Sequence, residues 1–241
     1  DVIYEIANET GVSRDWQYHF IDYVKRYEAT KPKQHPVGTT IGYPVDEMDN
    51  AALLGSNSDF IAPGDYDNPP QADGSKVIFP DTDHNCPSCF DRADWIWKSF
   101  LRGLNPIYMD DLKSGEGREE TRQAMGQTLT YANKMNLASM IPQGNVSSTG
   151  YALANPGAEY LMYQPGSGAF TVMLDAGNYA GEWFNPTAGQ TSSGGTVNGG
   201  STQTFTPPFS GVAVLYLKNT SITGTPTTTA TLTPTPIEPT F

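Results

Sequence analysis

Two rhythms of apolar and polar residues divide this chain. Through residue 137, short apolar runs alternate with stretches whose apolar residues recur three and four positions apart, the pattern of strand–helix units around a parallel sheet. Strands are expected at residues 2–8, 36–43, 59–62, 76–83 and 106–109. After the first, Ser13 is placed to cap a helix in which Trp16, Phe20, Tyr23 and Tyr27 share one face. Lys31-Pro32 stops that helix, because proline disfavours helical backbone in the residue before it. A short helix fits residues 50–54, another carries Ile96, Trp97, Phe100 and Leu101, and a long one spans about 118–136.

From residue 138 onward Gly, Pro and Asn turns punctuate short runs without a helical period. Phe170, Val172 and Leu174 alternate with Thr171, Met173 and Asp175, as a half-buried antiparallel strand requires, and the run of such segments suits a small β-sandwich. The last stretch, 219–241, is rich in Thr and Pro; it cannot pack a core and reads as an extended linker to a further module. The expected organisation is an α/β unit at 1–137, an all-β sandwich at 138–218 and a linker at 219–241.

Composition narrows the function. Twenty-six acidic against 14 basic residues give a net charge of −12, which repels phosphate backbones and supplies no basic stripe for nucleic acid. No apolar run approaches the roughly 20 residues that cross a bilayer. Few Lys, abundant Gly, Asn, Thr and Tyr, and the Thr/Pro-rich end point to a secreted or cell-surface protein.

The first strand ends in Asn8-Glu9, and in strand–helix barrels functional side chains stand at the carboxyl ends of strands. A glycosidase needs one carboxyl group to protonate the leaving oxygen and a second to attack the sugar or activate water. Glu9 suits the acid/base role and Asn8 a hydrogen bond to the neighbouring sugar hydroxyl; the plainer alternative is that Glu9 caps the following helix. The fourth strand also ends in acids, Asp81 and Asp83, which share one face under period-two geometry and offer the partner carboxylate, or alternatively a backbone-binding turn or a loop cation site. His84 stands beside them, and Tyr43 and Trp95 are candidate sugar-stacking rings, as are Tyr66 and Tyr108; Asp110-Asp111 ends the fifth strand. Cys86 and Cys89 form a lone CxxC, favoured here as a small loop-closing disulfide over a metal site or free thiols. No cofactor and no resident metal are expected.

Taken together, residues 2–9, Trp16-Gln17-Tyr18-His19, the stretch 30–38, Asp81-Thr82-Asp83-His84 and the stretch 97–106 resemble the second half of a glycoside-hydrolase-like TIM barrel. Residues 147–157, Trp183-Phe184-Asn185-Pro186, the stretch 205–209 and Ala213-Val214-Leu215-Tyr216-Leu217 resemble the collagen-binding β-sandwich that follows such barrels. The resemblance implies a partial (β/α)8 barrel, strands four to eight, followed by the antiparallel sandwich. It makes residues 2–8 the fourth strand, with Glu9 as acid/base, and 76–83 the seventh, where the family carries a Glu nucleophile and this chain has Asp81 and Asp83. It further implies a polysaccharide or glycan substrate, an extracellular-matrix contact through the sandwich, and, with three strands missing, no turnover by these 241 residues alone. The rival expectation is a non-catalytic adhesion protein that binds glycan or collagen, or an extracellular structural protein.

Overall fold

The residues with the strand–helix rhythm build one parallel sheet. The computed structural model describes residues 2–8, 10–42, 47–64, 70–80, 93–107 and 119–221. Within these, β1 (Tyr4–Glu5), β2 (Val37–Thr40), β3 (Phe60–Ala62) and β4 (Val77–Ile78) lie in the order β1-β2-β3-β4. Every pairing is parallel, with Tyr4 opposite Val37, Gly38 opposite Phe60 and Phe60 opposite Val77. A fifth segment continues the ladder without regular strand form: Asn105 N donates to Ile78 O at 2.9 Å and Ile107 N to Pro80 O at 3.2 Å, the two-residue step of parallel pairing.

Helix α1 (Arg14–Glu28) follows β1 and is capped as expected, the Ser13 hydroxyl accepting from Trp16 N. The face it buries is not the one that carries the four aromatic residues. Gln17, Ile21 and Glu28 turn inward, while Trp16, Phe20, Tyr23 and Tyr27 stay exposed. The reason is a polar pin: the buried Gln17 accepts from Thr39 Oγ1 at 2.7 Å and donates from Nε2 to Val12 O at 3.0 Å, fixing the helix to β2 and to its own entry loop. Helix α2 (Asn50–Gly55), capped by Asp49, joins β2 to β3. In β2, Gly38 lies against Phe60; a Cβ there would sit 2.3 Å from the ring, so any side chain at that point forces the ring or the strand to shift.

Helices α3 (Ala93–Leu101) and α4 (Glu119–Lys134) complete the first half and also serve the second. That second half contains β5 (Ile141–Pro142), β6 (Ala152–Asn155), β7 (Glu159–Gln164), β8 (Phe170–Met173), β9 (Asn178–Asn185), β10 (Gln190–Asn198), β11 (Thr202–Phe205) and β12 (Ala213–Asn219). Six of them form an antiparallel sheet in the order β10-β9-β12-β7-β6-β5, and β8 pairs with β11 separately. The large sheet is covered on both faces. Leu161, Tyr163, Val214 and Tyr216 pack toward Trp97 of α3 and Tyr131 of α4, while Tyr160, Met162, Leu215 and Leu217 pack toward Phe170 and Val172 of the β8–β11 ribbon. Alternate residues of β7 and β12 therefore enter two cores, which is why both strands are buried almost throughout rather than on one side.

Candidate active site at the strand ends

The carboxyl ends of β1 to β4 form one rim, and hydrogen bonds hold its described parts in place. At the end of β1 the ladder skips a residue: Ile6 N donates to Gly38 O at 2.9 Å, but Thr40 N then reaches Ala7 O at 3.3 Å instead of the Ile6 carbonyl. The extra residue bends the strand as a bulge does, re-aiming whatever follows. Thr40 Oγ1 also donates to Ala7 O at 3.2 Å, and Asn8 lies exposed just beyond. The return into α1 is tied by the Gln17 pin described above and by Arg14 N, which donates to Glu47 Oε2 at 2.9 Å.

Asn50, the first residue of α2, braces the end of β3 reciprocally. Its Oδ1 accepts from Gly64 N at 3.0 Å and its Nδ2 donates to Gly64 O at 3.2 Å. The Tyr18 hydroxyl donates to Ala52 O at 2.6 Å, which docks α2 on α1, and burial raises its phenol pKa above the usual value. At β4, Phe79 N donates to Ile61 O, and the Phe79 ring meets Phe60 edge-on at 5.8 Å. A rim braced by side-chain to backbone bonds suits a site that must hold groups at fixed geometry. The amino ends of the strands are tied as well: Asp59 accepts from Val37 N and pairs with Lys25, and Lys76 Nζ donates to the Ser56 and Ser58 carbonyls. Burial first, then the nearby Lys25 charge, lowers the Lys76 pKa.

Of the residues singled out by sequence, Asn8 sits on the rim, exposed at the end of β1. Glu9, Asp81, Asp83, His84 and Tyr43 lie outside the described residues, as do Tyr66, Cys86, Cys89, Tyr108 and Asp110-Asp111. Trp95 needs a correction: on α3 it is 2% exposed and packed in the core shared with the large sheet, so it has no open ring face for a sugar. Its apolar helical neighbours Ile96 and Trp97 carried that signal. Sequence reasoning did not find Asn50, Thr40 or Gln17, whose importance comes from partners far along the chain.

Among the described residues, clefts lie near the rim and along the seam. One, of about 700 Å³, runs between the 104–107 segment and α4 and is apolar, lined by Phe79, Phe100, Leu104, Ile107, Met125 and Leu129. Another, of about 640 Å³, follows the seam of α4 with β9 and β10, where Gln127 Nε2 donates to Pro186 O. Its charged groups are Glu182 and Lys134: Glu182 Oε1 accepts from the Tyr131 hydroxyl at 2.8 Å, and both Glu182 oxygens lie 2.6 Å from Lys134 Nζ. Burial, and next the Glu182 hydrogen bond, push the Tyr131 phenol far upward, so it remains a proton donor. Among the described residues, no group of three or more His, Cys, Asp or Glu side chains is placed to hold a metal ion, and no helix is long and apolar enough to cross a membrane.

Comparison with known proteins follows this division of the chain. Residues 138–214 match the family described as "Putative collagen-binding domain of a collagenase". No curated protein matches the sequence. Among solved structures, the chain is similar to a glycoside hydrolase family 5 protein from Bacteroides vulgatus, with a TM-score of 0.60 and 11% sequence identity over 92% of this chain and 63% of that one. It is also similar to a structure named "Glycoside hydrolase", with a TM-score of 0.43 and 12% identity over 86% of this chain and 47% of that one. The chain thus spans less than two thirds of either. At this identity the family 5 likeness concerns the fold, and function has to be argued from the site.

Proposed function

We propose that these residues belong to a secreted or cell-surface glycoside hydrolase that acts on a polysaccharide by a two-carboxylate mechanism. In this reading the parallel sheet is part of a (β/α)8 barrel, with β1 to β4 as its fourth to seventh strands and the 104–107 segment beginning the eighth. Glu9 protonates the glycosidic oxygen as the leaving group departs, and Asp83 or Asp81 attacks the anomeric carbon or activates water from the opposite side of the sugar. Carboxylates about 5–5.5 Å apart give retention, and about 6.5–9.5 Å inversion. Asn8 donates to the hydroxyl next to the reacting carbon, and His84 and Tyr43 line the sugar site.

One observation carries the reading: β1 and β4 stand in one parallel sheet, three positions apart, and the chain runs directly from their carboxyl ends into Asn8-Glu9 and Asp81-Thr82-Asp83. The fold likeness to the family 5 structure supports it. The test is Glu9→Gln and Asp83→Asn, each with Asp81→Asn as a companion, made in the natural gene product and assayed on a panel of plant, microbial and matrix polysaccharides. General acid catalysis contributes about 10²–10⁴-fold, so Glu9→Gln should lower kcat by at least the smaller factor while leaving the folded state intact. Undiminished turnover would sink the assignment.

The family match of residues 138–214 favours a second reading, a non-catalytic protein that adheres to collagen or glycan. Saturable binding to fibrillar collagen together with no turnover of any polysaccharide, by the unsubstituted gene product, would select it.

A further inference from the structure

Tyr131, Tyr160, Tyr179 and Tyr216 are buried, and each of their hydroxyls has a partner. Tyr131 and Tyr216 donate to Glu182 and Glu159, Tyr179 donates to Asp175 O, and Tyr160 accepts from the Gly157 and Asp175 amides. Tyr163 on β7, 1% exposed, differs: among the described residues nothing shares a hydrogen bond with its hydroxyl. Its ring stacks on Trp97 at 5.9 Å, and it lines a cleft of about 460 Å³ between the sandwich and the beginnings of α3 and α4. A buried hydroxyl left unpaired costs stability, and beside a cleft the missing partner can come from what the cleft holds. Burial first, then the Asp94 charge, pushes the phenol pKa upward, so the group stays a proton donor.

Both halves of the chain wall this cleft. Asp94 comes from α3, Glu120, Gln123 and Gln127 from α4, and Pro186 and Thr187 from the turn after β9. Gln127 ties the walls together through its bond to Pro186 O at 2.8 Å. Gln123 and Thr187 are exposed and also border the seam cleft of about 640 Å³, so the two cavities join in one groove. Along it α4 presents Glu120, Gln123, Gln127, Thr130 and Lys134, three and four residues apart, over about 20 Å of helix. The groove begins on the rim side. Helix α3 runs away from the rim, since beyond its end Asn105 N donates to Ile78 O and the chain starts up again beside β4. Asp94 and Glu120 therefore stand at the end of the molecule where β1 to β4 terminate.

We propose that this groove binds a neutral glycan chain, with Tyr163 donating to a sugar oxygen and Gln123 and Thr187 making further hydrogen bonds. Amides and hydroxyls both donate and accept, which is what a chain of hydroxyl groups requires. Asp94 and Glu120 at the mouth, on a chain of net charge −12, disfavour an anionic ligand. A polypeptide is matched less well: Trp97 and Phe184, the rings bordering the groove, are 0% and 7% exposed, so a peptide side chain finds no open apolar pocket for an anchor. The inference rests on the glycan ligand of the proposed function, is independent of its two carboxylates, and gives the sandwich a share in holding the substrate.

Affinity electrophoresis of the natural gene product through gels carrying β-glucan, mannan or soluble starch tests it, beside Tyr163→Phe and Gln123→Ala. Loss of one hydrogen bond weakens binding roughly 2–12-fold, so each variant should need that much more of the retained polysaccharide for the same retardation. Tyr163→Phe removes a hydroxyl that has no protein partner, so its Tm should not fall. Equal retardation of both variants and the unsubstituted protein overturns the proposal, as does retention by none of the three gels. A Tm several degrees lower in Tyr163→Phe also overturns it, because the hydroxyl then has a structural partner. Binding to fibrillar collagen that both substitutions weaken, with no polysaccharide retained, overturns it in favour of a polypeptide. Weakened retardation of a protein that cleaves none of these polysaccharides keeps the groove and removes only the catalytic reading; cleavage with equal retardation removes the groove and keeps the enzyme.

Discussion

Replacing Glu182 by alanine strikes the seam between the two halves of the chain at the point where it is charged. The carboxylate on β9 accepts from the Tyr131 hydroxyl at 2.8 Å and pairs with Lys134 Nζ at 2.6 Å, both donors belonging to α4. Tyr131 is 3% exposed and sits among Trp97, Phe184 and Tyr216, with ring centroids 5.6–6.1 Å away, so water cannot easily replace the lost acceptor. Leaving a buried donor unsatisfied costs about 1–3 kcal/mol. The Lys134 pair is partly exposed and adds about 0.2–1 kcal/mol. Glu182→Ala should therefore destabilise by about 2–3 kcal/mol, which for a chain of this length lowers Tm by roughly 4–12 °C. Differential scanning calorimetry and urea unfolding measure this directly. Tyr131→Phe removes the donor along with its need, so the double variant Glu182→Ala/Tyr131→Phe should be no less stable than Glu182→Ala alone, giving a coupling of about 1 kcal/mol or more. A Glu182→Ala loss under about 0.5 kcal/mol, or additive single effects, would refute the view that this hydrogen bond fastens the sheet to α4.

Two further predictions concern the parallel half. Glu28 accepts from His35 N and Nδ1, both at 3.0 Å, and the His35 side-chain bond first of all holds its pKa below the ordinary 4.5. A depressed folded-state pKa contributes stability above the unfolded value that is lost as pH falls through the folded one, so Glu28→Gln should flatten the acid limb of the stability profile below pH 4.5; parallel urea-midpoint profiles for the two proteins would contradict this. Gly38→Ala places a methyl group against the Phe60 ring and should cost about 1–3 kcal/mol by overpacking, with much of the loss recovered in Gly38→Ala/Phe60→Leu; a fully tolerated Gly38→Ala would show that the strands shift freely there.

The sequence by itself determined the local features whose causes are local. Ser13 caps α1 because its hydroxyl reaches an amide three residues on, and the period-two pattern at β8 buries Phe170 and Val172 while Met173 faces solvent. The change of rhythm at residue 138 likewise marks where parallel pairing gives way to antiparallel pairing. Tertiary structure decided which apolar face is covered and by what. The aromatic stripe of α1 looks like a core face by period, yet the inward position is held by Gln17, because Thr39 and Val12 are there to satisfy its amide. Trp95 looks like a sugar platform by type, yet α3 carries it into the core under the large sheet. The unbroken apolar runs of β7 and β12 could not announce a third layer, since a strand covered by helices on its second face and one covered by another sheet carry the same residues. Periodicity records how a residue relates to its own element; burial depends on the neighbours that long-range pairing brings to it.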